Sequence, residues 1–297
     1  MLPPFFQRVL IALALLIGGG CLWWTARDGL LGGGMGMLIG GGWELLLLAL
    51  PAAAMGVVVS ATGHPATGLF VLGVCLLIPA AVSGPIDAAL YRLQSVSRFG
   101  VMMAEAAMWL VLLLGYAAVL ASLRQRVRDA LPRVLTGRPG GAHEVEEPNA
   151  GHGERDPWGF SPLPLVTNLG IAVIVGGVLG VVLLQSSQTG QVFAGLMLAF
   201  AAAGAAAQSF APRMSVAGVI ASPLVVAAIG YAWVLVRFRD NEAVLRAWFE
   251  GELWGLATAR PIDYASAGVT GCVIGIGIAR GIARARAVHL EAASARG

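Results

Sequence analysis

What most constrains this chain is a series of apolar runs, each of about 20 residues, separated by short polar or glycine- and proline-bearing breaks. A helix rises about 1.5 Å per residue, so such a run matches a hydrocarbon layer about 30 Å thick. The runs fall at 9–24, 38–59, 67–90, 101–123, 163–184, 192–210, 216–236 and 264–280. Lipid offers no hydrogen bonds to a bare backbone, so each run is expected to be a helix that satisfies its own amide groups. The composition agrees: 58% of residues are hydrophobic and 12% charged, against roughly 25% charged in soluble domains.

The expectation is therefore an all-α integral membrane protein, a polytopic helical bundle of about eight (seven to eight) transmembrane helices in two groups of four. Residues 1–123 form the first bundle and 163–286 the second. Between them, 124–162 is a polar linker rich in Arg, Glu, Gly and Pro, expected to be cytoplasmic and partly disordered, and 287–297 is a polar tail. Within the second bundle, 240–257 mixes charges with Leu245, Trp248, Phe249, Leu253 and Trp254 at helical spacing, which predicts an amphipathic segment lying in the interface.

Orientation follows from the arginines. With eight crossings and a cytoplasmic linker, Arg8, Arg124, Arg126, Arg128, Arg133, Arg138, Arg155, Arg213, Arg280, Arg284, Arg286 and Arg296 lie on the linker side. The other seven of the nineteen basic residues lie opposite, a mild bias of the kind that orients membrane proteins. The expected location is the bacterial cytoplasmic (inner) membrane, as a multi-pass protein.

Several function classes are disfavoured. The chain has no lysine, hence no P-loop lysine, no Schiff base and no Ser–Lys dyad. Cys21, Cys75 and Cys272 lie inside apolar runs without a C-x-x-C spacing and read as packing residues. Four histidines lack metal-ligand spacing, and no cofactor or intramembrane hydrolase motif is present. No metal, no cofactor, no nucleic acid and no catalysis are expected; the partners are the lipid bilayer and a second membrane protein or a second copy of this chain.

Two residue sets remain. Small residues recur every fourth position at Gly32, Gly36 and Gly40, at Gly195, Ala199 and Ala203, and at Gly271 and Gly275; such ridges let helix backbones approach closely. Glu105 lies well inside the fourth run, with Asp87 and Glu44 nearer the ends of theirs. Ionisable groups in lipid cost several kcal/mol unless paired or hydrated. The bland reading is a headgroup contact, or a pair of Glu105 with Arg98 or Arg92. The small-residue faces predict a non-catalytic scaffold or accessory subunit. The alternative, drawn from Glu105, is a small-solute transporter or channel with a proton- or cation-coupled acidic residue.

Overall fold

A computed structural model describes residues 4–27, 43–62, 65–82, 96–130, 162–211 and 215–294. All regular structure in them is helical: α1 (Pro4–Arg27), α2 (Trp43–Thr62), α3 (Pro65–Val82), α4 (Ser97–Ala130), α5 (Pro162–Leu183), α6 (Thr189–Phe210), α7 (Val216–Arg237) and α8 (Asn241–Phe249). The last helix, α9, is continuous through Pro261–Asp263, a π-type turn Tyr264–Gly268, and Val269–Ser294. Gly32, Gly36, Gly40, Asp87 and the linker from 131 to 161 lie outside the described residues, as does the side chain of Glu44 at the start of α2.

Among the described residues, six helical stretches are long and apolar enough to cross a membrane: Phe5–Trp24, Ser97–Leu123, Leu163–Leu183, Thr189–Phe210, Val216–Arg237 and Pro261–Arg286. α2 and α3 carry shorter apolar stretches, Ala49–Ala61 and Ala66–Val82. The chain is thus a multi-pass helical membrane protein.

Polar side chains repair the backbone where these helices break. Gln185 Nε2 donates to the carbonyls of Val181 and Val182 at 2.8 and 3.2 Å, covering two of the orphan acceptors that end α5. Pro223 inside α7 brings no N–H to the carbonyl of Val219. That oxygen instead accepts from Ser222 Oγ at 2.7 Å and from Cys272 Sγ at 3.3 Å.

Contacts between helices define two ends of the bundle. At one, Val96 N–H donates to Asn241 Oδ1 at 2.7 Å, bringing the start of α4 to the start of α8. At the other, from which α4 leads into the linker, Arg280 on α9 donates to Gln208 near the close of α6, and Gly218 near the start of α7 packs on the backbone of Leu165 near the start of α5. The sequence halves share one continuous core. α1, α2 and α3 pack together, α3 also lies against α9, and α4 lies against α7.

Only the first part of 240–257 keeps to the surface. Asp240 caps α8 by accepting from Ala243 N–H at 2.7 Å. Gly251, at φ +72°, closes that helix with a paired turn, its N–H on Trp248 O and that of Glu252 on Ala247 O. From there the chain turns into the bundle. Leu256 is buried between α5 and α7, where a Cβ on Gly180 would stand 2.7 Å from its Cδ2 and one on Gly230 3.0 Å from its backbone. Two missing side chains make the slot that the 3-10 turn Gly255–Ala257 of this otherwise irregular segment fills. Irregular backbone survives inside a membrane bundle only when protein encloses it in this way.

Candidate functional site: a buried charge cluster at a helix start

The inserted segment ends at Arg260, and α9 begins with Pro261. Proline suits a helix's first turn, where its missing N–H costs nothing. Two residues on, Asp263 Oδ2 accepts from the backbone N–H of Arg260 at 2.8 Å, closing the helix start. The same carboxylate receives the guanidinium as a fork, Nε to Oδ2 at 3.1 Å and Nη2 to Oδ1 at 2.8 Å. Both side chains are 5% exposed. Nη2 also donates to Ala80 O at 2.6 Å. Ala80 is in the last turn of α3, whose carbonyls lack helical partners, so one arginine ties the start of α9 to the end of α3.

Two tyrosines hold the inserted segment from either side. Tyr231 on α7 donates to Ala259 O at 2.6 Å, and Tyr264 on α9 donates to Leu256 O at 2.7 Å. Both rings are fully buried. Tyr231→Phe leaves a buried carbonyl short of its donor and is expected to lower stability by about 1–3 kcal/mol. Thermal unfolding in detergent reads this; an unchanged midpoint means the hydroxyl holds nothing.

Glu105 belongs to this cluster. It is 1% exposed and sits about 12 Å along α4 from Ser97, at 1.5 Å per residue. Tyr231 lies within electrostatic reach of Glu105, Arg260, Asp263 and Tyr264 together, and Phe99 on α4 packs on the Tyr231 ring, centroids 6.3 Å apart. Two carboxylates, one guanidinium and two phenols, from α4, α7, the start of α9 and the residue before it, therefore gather around Tyr231. Arg260 and Asp263 form a buried ion pair here, and Arg246 and Glu242 an exposed one on the surface of α8. Arg98 is half-buried on α4, and Arg92 lies outside the described residues.

The sequence reading found Glu105 but missed Arg260 and Asp263, starting the last span at Tyr264. Arg-Pro-x-Asp was the available signal, since proline followed by an acidic residue two positions later marks a helix start.

The small-residue ridges are engaged elsewhere. A Cβ on Gly271 would overlap Met197 O, and one on Gly275 would overlap Ala201 O. A Cβ on Gly204 would stand 2.5 Å from Cys272 O. α9 and α6 thus meet backbone to backbone, along a face of α6 that carries Met197, Ala201 and Ala205. Gly195 packs instead on Leu183 and Leu184 at the α5–α6 turn, and Ala199 and Ala203 are fully buried.

Chemically, the cluster can hold or release a proton or cation at a carboxylate screened from bulk water, beside an arginine fixed by its own partner. Comparison with known proteins adds nothing to this geometry: no family model, curated protein or solved structure matches the chain.

Proposed function

We propose that this protein passes a small solute or ion across the membrane, with Glu105 as the carboxylate that binds and releases a coupled proton or cation. The observation that carries the reading is Glu105 itself, a carboxylate almost fully buried that shares the surroundings of Tyr231 with the Arg260–Asp263 pair at the start of the last helix. Membrane proteins rarely keep ionisable groups at such depth without using them. The π-type turn Tyr264–Gly268 follows that pair directly, and turns of this kind recur at functional sites.

The reading takes α1 to α7 and α9 as crossings, the shorter apolar stretches of α2 and α3 included, in two sets of four flanking the linker, with both termini and the linker on one side of a bacterial cytoplasmic membrane. Alternation of helix ends supports it: α3 closes beside Arg260, and α4 opens at that same end. Arg280 and the exposed Arg126, Arg284 and Arg286 collect at the linker end, as a cytoplasmic face requires. A scaffold or accessory subunit is the competing reading. Its small-residue faces at Gly271, Gly275 and Gly195 are engaged inside this chain, and its ridge at Gly32, Gly36 and Gly40 lies outside the described residues.

The test is flux in vesicles reconstituted with the purified protein. Glu105→Gln is expected to cut transport by about tenfold or more while the unfolding midpoint stays near that of the wild type, and Glu105→Asp to retain part of the rate. Wild-type vesicles that carry neither protons, Na⁺, K⁺ nor any of a broad solute panel would overturn the proposal in favour of the scaffold.

A further inference from the structure

We infer that the linker end of α9 binds an anionic phospholipid, its headgroup phosphate held by Arg280 and Arg284 and an acyl chain laid over Gly277 and Ile278. Arg280 lies inside the stretch Pro261–Arg286 that is apolar and long enough to cross the membrane. It is half-buried, and its Nε donates to Gln208 Oε1 at 3.2 Å, so the guanidinium is fixed against the close of α6 instead of reaching freely for water. Arg284, one turn further and exposed, is a like charge within electrostatic reach of it. Two positive groups held this close repel each other, and an anion seated between them turns that repulsion into attraction. Guanidinium groups also take phosphate oxygens as a fork, with two parallel hydrogen bonds.

The rest of the face suits an amphiphile. At about 100° per residue, the side chains follow in order around α9 from Arg280 and Arg284 to Gly277 and Gly281, and then to Ile278 and Ile282. A Cβ on Gly277 or on Gly281 would have nothing within 4 Å of it. Ile278 and Ile282 are 53% and 51% exposed. The glycines thus form a shallow trough with arginines on one bank and isoleucines on the other. One heptad before Gly277 the same face is closed, since a Cβ on Gly73 of α3 would stand 2.6 Å from Thr270 Oγ1. At Gly277 it is open.

Charge decides the occupant. The described side chains of Arg126, Arg280, Arg284 and Arg286 gather at this end. The described carboxylates lie toward the opposite one, on α4 near its start, on or beside α8, and at the start of α9. A zwitterionic headgroup would bring its ammonium against two arginines with no described carboxylate to receive it. A second copy packed here about a two-fold axis would set the same arginines against each other. A free phosphate gains nothing from the open glycines or the isoleucines. A phospholipid of net negative charge satisfies both the arginine bank and the apolar one, and basic surfaces at the membrane face of helix bundles select such lipids.

The experiment titrates the full chain in mild detergent with phosphatidylglycerol or with phosphatidylcholine of the same acyl chains, and counts the lipid retained per chain by native mass spectrometry. Wild type should retain phosphatidylglycerol in preference to phosphatidylcholine. Arg280→Ala and Arg284→Ala should each weaken that retention by about tenfold or more, beyond the roughly fivefold that one surface arginine gives through charge alone. Gln208→Leu removes no charge and should weaken it too, because the Arg280 guanidinium loses its anchor. Arg286→Ala, on the opposite face of α9, should leave it near wild type. Arg284 is exposed, so Arg284→Ala carries the test should Arg280→Ala not fold. Equal retention of the two lipids overturns the inference. An equal loss from Arg280→Ala, Arg284→Ala and Arg286→Ala overturns it in favour of net charge without a site. Inorganic phosphate that displaces phosphatidylglycerol at matching concentration overturns it in favour of a free anion. Retention seen only when Glu144→Gln, Glu146→Gln and Glu147→Gln are combined overturns it in favour of the chain's own linker. Retention is read without flux, so the transport reading stands or falls separately.

Discussion

Arg260→Met is expected to destabilise the protein by about 3–5 kcal/mol, the usual cost of removing one partner from a buried ion pair. The substitution leaves Asp263 with the single backbone N–H at 2.8 Å in place of three donors. It also removes the 2.6 Å bond that holds Ala80 O. The penalty lies in the charge left behind, since methionine fills most of the volume. Arg260→Met with Asp263→Leu removes both charges and is expected to recover most of the loss, because well-packed apolar pairs often match buried ion pairs in stability. Unfolding midpoints of the two variants in one detergent make the comparison. If the double variant melts no higher than the single one, the charge is not the cause.

Gly275→Leu should be at least as damaging. Its side chain has to start where the carbonyl of Ala201 already stands, so α9 and α6 must separate along their contact. Overpacking a core costs about 1–3 kcal/mol when side chains can give way, and more when backbone must move. Gly277→Leu is the control: it lies on the same helix two residues on, exposed, with nothing within 4 Å of its would-be Cβ. The expected result is loss of folded, monodisperse protein for Gly275→Leu and near wild-type behaviour for Gly277→Leu. Equal melting of the two would remove the backbone contact as a determinant of stability. The same pair separates internal packing from partner binding, because a partner-facing ridge would weaken assembly without lowering the melting midpoint.

Much of the helical layout was legible in the chain. The run 163–184 is α5, 192–210 lies within α6, and 216–236 lies within α7, each to within a few residues. Transfer of a segment from water to lipid is nearly additive over its own residues, so a window of sequence contains almost all the needed information. The start of α9 was missed for a different reason. Tyr264 looked like the beginning of an apolar run because Arg260 and Asp263 cancel each other's charge only through a contact between them. Read singly, they look like loop residues.

What the residue order alone decided is the solvent of this protein: apolar runs long enough for lipid, and helices within them. Tertiary structure decided which polar groups are site and which are repair. Arg260 meets a carbonyl 180 positions away, Tyr231 reaches a segment that has left the surface, and the glycine ridge of α9 finds its mate on an unmarked face of α6. Solvation is summed residue by residue along the chain. Charge neutralisation, hydrogen bonding between distant elements and backbone-to-backbone packing exist only once two surfaces meet, so no local pattern records them.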